Sequence, residues 1–177
     1  MIRFVLNEYT RSVLISKSKK ESPDRFAKRV ESKAKIDLER VGLLELESGS
    51  DDLYLYFKVK DYRVSLVILE FKKVLDSYLV GKFKNDPSKA VSKALTHALR
   101  YNQIKTSCSC PDFKYRFSYM ATKKKYNADD PPGEHREATH TNPNNKGGLC
   151  KHQLAVLNAP SVWKSKVVTS LTRYARR

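Results

Sequence analysis

The sequence contains no apolar run long enough to cross a membrane. A spanning helix needs about 18 or more apolar residues in succession, whereas the longest apolar run here, Val64 to Leu69, is interrupted by Ser65. The N-terminus lacks the long apolar segment and cleavage site of a secretory signal, since Met1–Leu6 leads directly into Asn7-Glu8. We therefore expect a cytoplasmic protein, or a component of a virion assembled in the cytoplasm, with no membrane partner.

The motifs of common enzyme classes are missing as well. The sequence has no nucleotide-binding glycine loop, no His-Glu-x-x-His motif and no recognisable pair of nucleophile and base. The carboxylate pair Asp129-Asp130 lies in a loop-like segment and is weak support for a nuclease. We expect a protein that is not an enzyme.

Cysteine is scarce, and its number argues against a disulfide framework. The chain has three cysteines, Cys108, Cys110 and Cys150, so a disulfide would leave one thiol unpaired. All three belong to one candidate metal site, which is a better explanation of their positions than a disulfide.

Acidic residues are missing from the last part of the chain. Residues 138–177 contain no Asp or Glu and seven Lys or Arg. Of the net charge of +16, residues 81–177 contribute +13 (19 basic against 6 acidic) and residues 1–80 contribute +3 (16 against 13). A surface of this kind attracts phosphates or acidic proteins, although it can also be a solubilising charged face. The charge predicts nucleic acid or another polyanion as the partner.

The composition is that of a folded protein, and its periodicities predict an α+β fold in two parts. Hydrophobic residues make up 40% of the chain and charged residues 31%, which is too apolar for a disordered chain. We expect a mixed lobe of helix and antiparallel strands over residues 1–82. A small zinc-stabilised hairpin-helix lobe follows over residues 83–177, and the polar connector Gly81–Pro87 marks the boundary.

The first predicted lobe contains one helix and several strands. A strand over Ile2–Leu6 could extend to Val13–Ile15, and a charged loop follows over Ser16–Ser22. The predicted helix begins at Pro23-Asp24 and ends before Gly42, because apolar residues recur in it at helical spacing. These residues are Phe26, Val30, Ala34, Leu38 and Val41. The remaining predicted strands are Leu43–Leu46, Leu53–Val59 and Tyr62–Leu69, with a hairpin at Lys60-Asp61, while Phe71–Val80 fits a strand or a helix.

The second predicted lobe begins and ends with a helix. The first helix starts at Asp86-Pro87 and ends near Tyr101, and a short strand follows over Gln103–Ser107. A long polar loop is predicted over residues 127–148. The last helix is capped by Ser161 and has Trp163 on its apolar edge.

Two short motifs carry the predicted chemistry. Cys108-Ser109-Cys110 and Cys150-Lys151-His152 are separated by 39 residues. In an extended segment, side chains two positions apart point the same way, so the first two thiols can face one ion. Cys150 precedes a short helix, whose dipole favours a thiolate. Three sulfurs and one imidazole form the closed tetrahedral set of structural zinc, so we predict one structural Zn2+.

The other histidines are weaker candidates. His135 and His140 lie in the polar loop and could act as substitute ligands, although exposed loop histidines are commoner. His97 falls on a helical stripe and is predicted to be a packing or surface residue.

The two motifs resemble the SWIM zinc finger, whose pattern is C-x-C, a spacer, and then C-x-H entering a helix. The resemblance rests on Cys108–Phe113 and Cys150–Val156 and covers about residues 103–158. It implies a strand hairpin leading to a short helix, one zinc ion and a role in binding DNA or protein. The spacer is longer than the family usually shows, so an insertion separates the ligand pairs. The runs Pro111–Phe117 and Asn142–Asn144 are also similar to proteins of tailed phages.

Aromatic and basic residues alternate between Phe113 and Tyr126. This pattern suits base stacking combined with phosphate pairing, which proteins use for single strands. The aromatic rings could equally pack over the zinc region, and a run such as Lys123–Lys125 could be a solvated charge run. The predicted nucleic-acid contacts are Lys114, Arg116, Lys123, Lys124, Lys125, Lys151, Lys164, Lys166 and Arg173.

The sequence thus predicts a zinc-stabilised, non-catalytic protein that binds nucleic acid or another polyanion. The alternative is a structural or assembly protein of a phage virion, whose zinc lobe docks other virion proteins. The nearly neutral first lobe, with its apolar strands, motivates this alternative.

Overall fold

The computed structural model describes residues 9–21, 35–43, 50–81, 83–145 and 148–175. These residues form an α+β fold, as predicted. The strands are β1 (Ile36–Leu43), β2 (Leu53–Val59), β3 (Tyr62–Ile68) and β4 (Ile104–Cys108). The helices are α1 (Arg11–Glu21), α2 (Phe71–Val80), α3 (Pro87–Tyr101), α4 (Ser118–Lys123), α5 (Lys151–Asn158) and α6 (Pro160–Ala175). A π-helical turn, Phe113–Phe117, leads directly into α4.

The strands form one antiparallel sheet in the order β1-β2-β3-β4. Strand β2 alternates between apolar residues that are fully buried, such as Leu55 and Phe57, and residues on the opposite face, such as Tyr56. The predicted hairpin at Lys60-Asp61 is confirmed. Lys60 has a φ of 57°, which is the left-handed backbone that two-residue hairpin turns require.

Strand β4 joins the zinc region to the rest of the sheet. It pairs with β3, so that Cys108 lies opposite Val64 and Ile104 lies opposite Ile68. The sheet therefore takes strands from both sides of residue 82, and one cluster of buried side chains spans both parts. Strand β4, which ends at Cys108, thus pairs with β3, a strand of the first predicted lobe.

The predicted helix over residues 23–41 is wrong at its C-terminal end, where the chain forms β1. Its earlier part, residues 22–34, lies outside the described residues. The pairing register shifts between Leu38 and Arg40, so that Leu38 lies opposite Phe57 and Val41 lies opposite Leu55. This β-bulge places two core-facing residues three positions apart instead of two. A spacing of three resembles helical periodicity, which explains the wrong prediction.

The predicted strand at Val13–Ile15 is also wrong, and so is the predicted loop as far as Glu21, because Arg11–Glu21 form α1. Thr10 stands before this helix, and its Oγ1 accepts a hydrogen bond from the Val13 backbone N–H at 3.4 Å. Arg11 Nε donates to the Leu157 carbonyl at 2.6 Å, which fixes α1 to α5. Tertiary contact thus overrides the strand preference of β-branched residues. The predicted strand at 2–6 lies outside the described residues, and of the predicted strand Leu43–Leu46 only Leu43, the last residue of β1, is described.

The helices predicted in the later part of the chain are present. Phe71–Val80, which fitted either element, is a helix that buries Phe71 and Leu75. Helix α3 begins with Pro87 and is capped by Asp86, whose Oδ1 accepts from the Lys89 N–H at 2.9 Å. Helix α6 begins at Pro160, so Ser161 lies inside its first turn and is not its cap. None of the helices within the described ranges is long and apolar enough to span a membrane.

The segment between the ligand pairs has neither helix nor strand over residues 126–145. Asp130 attaches this segment to the face of the sheet that carries Ser65 and Ser107. The Asp130 carboxylate accepts from Ser65 Oγ and from Arg63 Nη2, each at 3.1 Å, and its carbonyl accepts from Ser107 Oγ. These contacts give Asp130 a structural role.

Candidate metal centre

The first ligand pair lies where β4 ends. Cys108 is the last residue of the strand, and Ser109 still pairs with β3, since its N–H donates to the Arg63 carbonyl at 2.9 Å. The chain then turns into a helical segment. The backbone N–H of Phe113 donates to Cys110 Sγ at 3.3 Å, which orients this sulfur.

The second pair begins α5. Cys150 is the N-cap of this helix, and its Sγ accepts from the backbone N–H of Gln153. The Gln153 side chain accepts from the Cys150 N–H at 2.9 Å, which completes a reciprocal capping box. His152 is the second residue of α5, and its ring packs against that of Tyr62 with centroids 4.8 Å apart.

These four side chains converge on one point. One donor atom from each of Cys108, Cys110, Cys150 and His152 lies within 4.8 Å of the other three, and all four residues are buried. Cys108 Sγ is 3.8 Å from His152 Nδ1. Tetrahedral zinc with its usual bond lengths separates neighbouring donors by about 3.6–3.8 Å. The cluster therefore has the dimensions of a zinc site.

The electrostatics of the cluster fit a bound cation. The hydrogen bond with Cys110 raises the pKa of Cys108 to about 12, and burial raises the pKa of Cys150 well above its ordinary value. Hydrogen bonds from Cys108 and Cys150 lower the pKa of Cys110. Burial and mutual contact therefore oppose the ionisation of all three thiols together. A divalent cation is what allows three buried sulfurs to be thiolates together.

The imidazole also fits a metal ligand. His152 is 2% exposed, and its Nε2 makes no hydrogen bond to the described part of the chain. Its Nδ1 contacts Cys108. A buried polar ring with so few partners is costly unless something coordinates it. The donor set and the burial both fit zinc.

Comparison with known families agrees with this geometry. Residues 91–159 match the family model of the SWIM zinc finger. This region is a SWIM zinc finger. Comparisons with curated proteins and with solved structures found no match. The SWIM finger extends from within α3 to the residue after α5, so that it contains β4, the insertion and all four ligands.

The SWIM finger of this chain binds one structural Zn2+ through Cys108, Cys110, Cys150 and His152, as predicted. Three sulfurs and one imidazole form the donor set typical of structural zinc. His135 and His140 are exposed and lie outside the cluster. His97 is exposed on α3, with its ring 4.9 Å from that of Tyr101.

The aromatic residues near the SWIM finger divide into two groups. Phe113, Phe117 and Tyr126 are buried in the core. Tyr115 is 59% exposed, and Tyr119 is half-buried. Residues 113 and 117 come to one side of a π-helical turn, which has more than four residues per turn, so that residue 115 faces away. Packing, one of the two predicted alternatives, thus applies to Phe113, Phe117 and Tyr126, and base stacking by the other aromatic residues stays a prediction.

The predicted nucleic-acid contacts lie around α4, at the start of α5 and along α6. Lys114, Lys123, Lys125, Lys151, Lys166 and Arg173 are exposed, and Lys124 and Lys164 are half-buried. Lys164 donates to Thr96 Oγ1 on α3. Arg116 is engaged within the protein, because its Nη1 lies 2.9 Å from Asp112 Oδ1 and its Nε donates to the Thr141 carbonyl at 3.1 Å. Arg116 therefore holds the insertion against the π-helical turn.

Gln153 is the residue of the site that sequence reasoning missed. Its Oε1 caps Cys150, while its Nε2 is 3.4 Å from Thr106 Oγ1 on β4. Gln153 therefore joins α5, which begins at the second ligand pair, to β4, which ends at Cys108. The signal was present, since a glutamine three residues after a helix-capping residue is the sequence mark of a capping box.

Proposed function

We propose that the SWIM finger is a zinc-stabilised scaffold for binding single-stranded nucleic acid with little sequence preference, without catalysis. The observation that carries the proposal is the pairing of Tyr115, which is exposed, and Tyr119, which is half-buried, with lysines of the helical segment after Cys110. Lys114 Nζ lies 5.2 Å from the ring centroid of Tyr115, and Lys123 Nζ lies 5.5 Å from that of Tyr119. Rings of this kind stack with any base, while the lysines pair with the phosphates between bases.

The zinc site supports this surface by fixing the segment that carries it. The π-helical turn begins three residues after Cys110 and is tied to that sulfur through the Phe113 N–H. Phe113 and Phe117 anchor the turn in the core. A rigid segment loses little conformational entropy when its exposed rings bind a ligand.

Charge supports the same surface. Lys124 and Lys125 directly follow α4, and the SWIM finger lies in the half of the chain that carries the charge of +13. Cations clustered beside stacking rings release the counterions of a nucleic acid on binding, so affinity should fall steeply with salt. The proposal places the protein in the cytoplasm or in a virion assembled there.

The test is a salt titration of binding, followed by fluorescence anisotropy of labelled single-stranded oligonucleotides. We expect Lys123→Ala/Lys124→Ala/Lys125→Ala to weaken binding and to reduce the slope of log K against log salt by about 2, since each phosphate contact on a single strand contributes about 0.7. The matched control is Lys84→Ala/Lys89→Ala/Lys93→Ala, which removes the same charge from exposed positions at and before α3. Binding in the control should remain close to that of the parent protein.

Two outcomes would contradict the proposal. Equal weakening of oligonucleotide binding by both triple variants would mean that binding depends on net charge and not on the position of the lysines. Absence of binding at low salt would exclude nucleic acid as the partner and would favour the alternative, an assembly protein of a phage particle. In that case the protein should co-purify with a stable multiprotein particle.

A further inference from the structure

The insertion between the ligand pairs forms one wall of a cleft beside the exposed tyrosines. The cleft has a volume of about 290 Å3. One wall comes from the π-helical turn and α4, and the other comes from residues 134–138 of the insertion. Its lining residues are Lys114, Tyr115, Tyr119, Glu134, Arg136, Glu137 and Ala138.

Hydrogen bonds hold the insertion on both sides of this cleft. At one end, the Glu134 backbone N–H donates to Thr122 Oγ1 on α4 at 3.2 Å. At the other end, Thr141 Oγ1 donates to the Tyr115 carbonyl, and Asn142 Nδ2 donates to the Arg116 carbonyl at 3.1 Å. The wall formed by the insertion is therefore attached to the helical segment before and after the cleft.

The two carboxylates of the cleft differ in their partners. Glu134 accepts from Arg136 Nε at 3.2 Å and from Arg136 Nη2 at 3.1 Å, and these hydrogen bonds lower the pKa of Glu134 to about 2. Within the described residues, Glu137 accepts one hydrogen bond, from the Tyr119 hydroxyl at 2.8 Å. A carboxylate has about four acceptor sites, so Glu137 can still accept hydrogen bonds from a ligand.

We propose that this cleft holds one unpaired nucleotide of a single strand and that Glu137 selects a base with an exocyclic amino group. The inference rests on the proposed function and adds a modest preference at one cleft to a surface that otherwise accepts any base. The base lies against Tyr115 and Tyr119, Lys114 pairs with the phosphate, and the Glu137 carboxylate accepts from the amino group. Carboxylates recognise the amino group of cytosine in this way, and single-strand binding proteins read the edges of splayed-out bases. The volume lies at the small end of the range for ligand pockets, which suits one nucleotide.

The test compares oligo(dC) with oligo(dT), since thymine has no exocyclic amino group. We expect the parent protein to bind oligo(dC) roughly tenfold more tightly, the discrimination typical of one good contact to a base edge. Glu137→Ala should remove this preference. Glu137→Gln, which still accepts from Tyr119, should reduce it, because an uncharged amide is a weaker acceptor for an amino group.

The control is Asp129→Asn, which removes one exposed carboxylate from the insertion outside the cleft. It should preserve the preference for oligo(dC), so the effect of Glu137 is separated from that of net charge. An unchanged preference in Glu137→Ala, or equal binding of both oligonucleotides by the parent protein, would overturn the inference and leave the proposed function intact. Failure to bind either oligonucleotide would overturn both.

Discussion

Gln153 and Cys150 cap each other at the start of α5, with Gln153 Oε1 accepting from the Cys150 N–H at 2.9 Å. The Gln153 amide also reaches Thr106 on β4, two residues before Cys108. One buried side chain thus sets the second ligand pair against the strand that supplies the first. Zinc and this amide hold the same two elements together.

Gln153→Ala should weaken both folding and zinc retention. The substitution removes a helix cap and leaves the buried Cys150 N–H without its partner, which costs about 1–3 kcal/mol. Denaturant unfolding measures the stability, and the rate of zinc transfer to a chelator measures retention. Asn158→Ala, at the exposed end of the same helix, is the control and should change neither. Unaltered retention in Gln153→Ala would show that the cap does not support the site.

The ligand set was predictable because it depends on spacing within short segments. The side chains of two nearby residues in a strand, or at the start of a helix, have fixed directions relative to each other. These directions do not depend on the rest of the chain. The positions of β1 and α1 were not predictable in this way. The bulge after Leu38 imitates helical spacing, and α1 depends on a contact from Arg11 to Leu157, 146 residues away.

The sequence also did not predict which aromatic residues are buried and which are exposed. In a regular strand, residues 113, 115 and 117 would all face the same side. The π-helical turn instead buries Phe113 and Phe117 and exposes Tyr115. The cleft was hidden for a similar reason, because the insertion reaches it only through hydrogen bonds such as the one from Asn142 to Arg116.

Cys110→Ser should abolish stoichiometric zinc binding. A serine hydroxyl is a poor zinc ligand, and three remaining donors leave the site incomplete. Metal analysis of purified protein should give one zinc per chain for the parent and much less for the variant, with loss of C-terminal structure because metal binding and folding are coupled. His135→Ala/His140→Ala, which removes the exposed loop histidines, should keep one zinc per chain. A full equivalent of zinc in Cys110→Ser would contradict the assigned ligands.

Arg116→Ala should loosen the insertion and leave the zinc site filled. Arg116 is partly exposed, and its ion pair with Asp112 and its bond to Thr141 together contribute about 1 kcal/mol after screening by solvent. Limited proteolysis should cut residues 127–145 faster in this variant. His140→Ala, an exposed position in the same segment, should leave the cleavage rate unchanged. If Arg116→Ala were cut no faster than the parent, the insertion would be held by its other contacts alone.

Removal of zinc should shift the fluorescence of Trp163 to longer wavelength. Trp163 is the single tryptophan of the chain and is 1% exposed. Its Nε1 donates to the Val156 carbonyl at 3.0 Å, and Val156 lies on α5, the helix that begins at the ligand Cys150. Without zinc, the attachment of α5 to β4 weakens and the indole gains access to water. The measurement is an emission spectrum during titration with a chelator, with zinc release followed in parallel. A spectrum that stayed constant after all zinc had left would show that α5 and α6 remain packed without the metal, and that the zinc stabilises only the turn around Cys110.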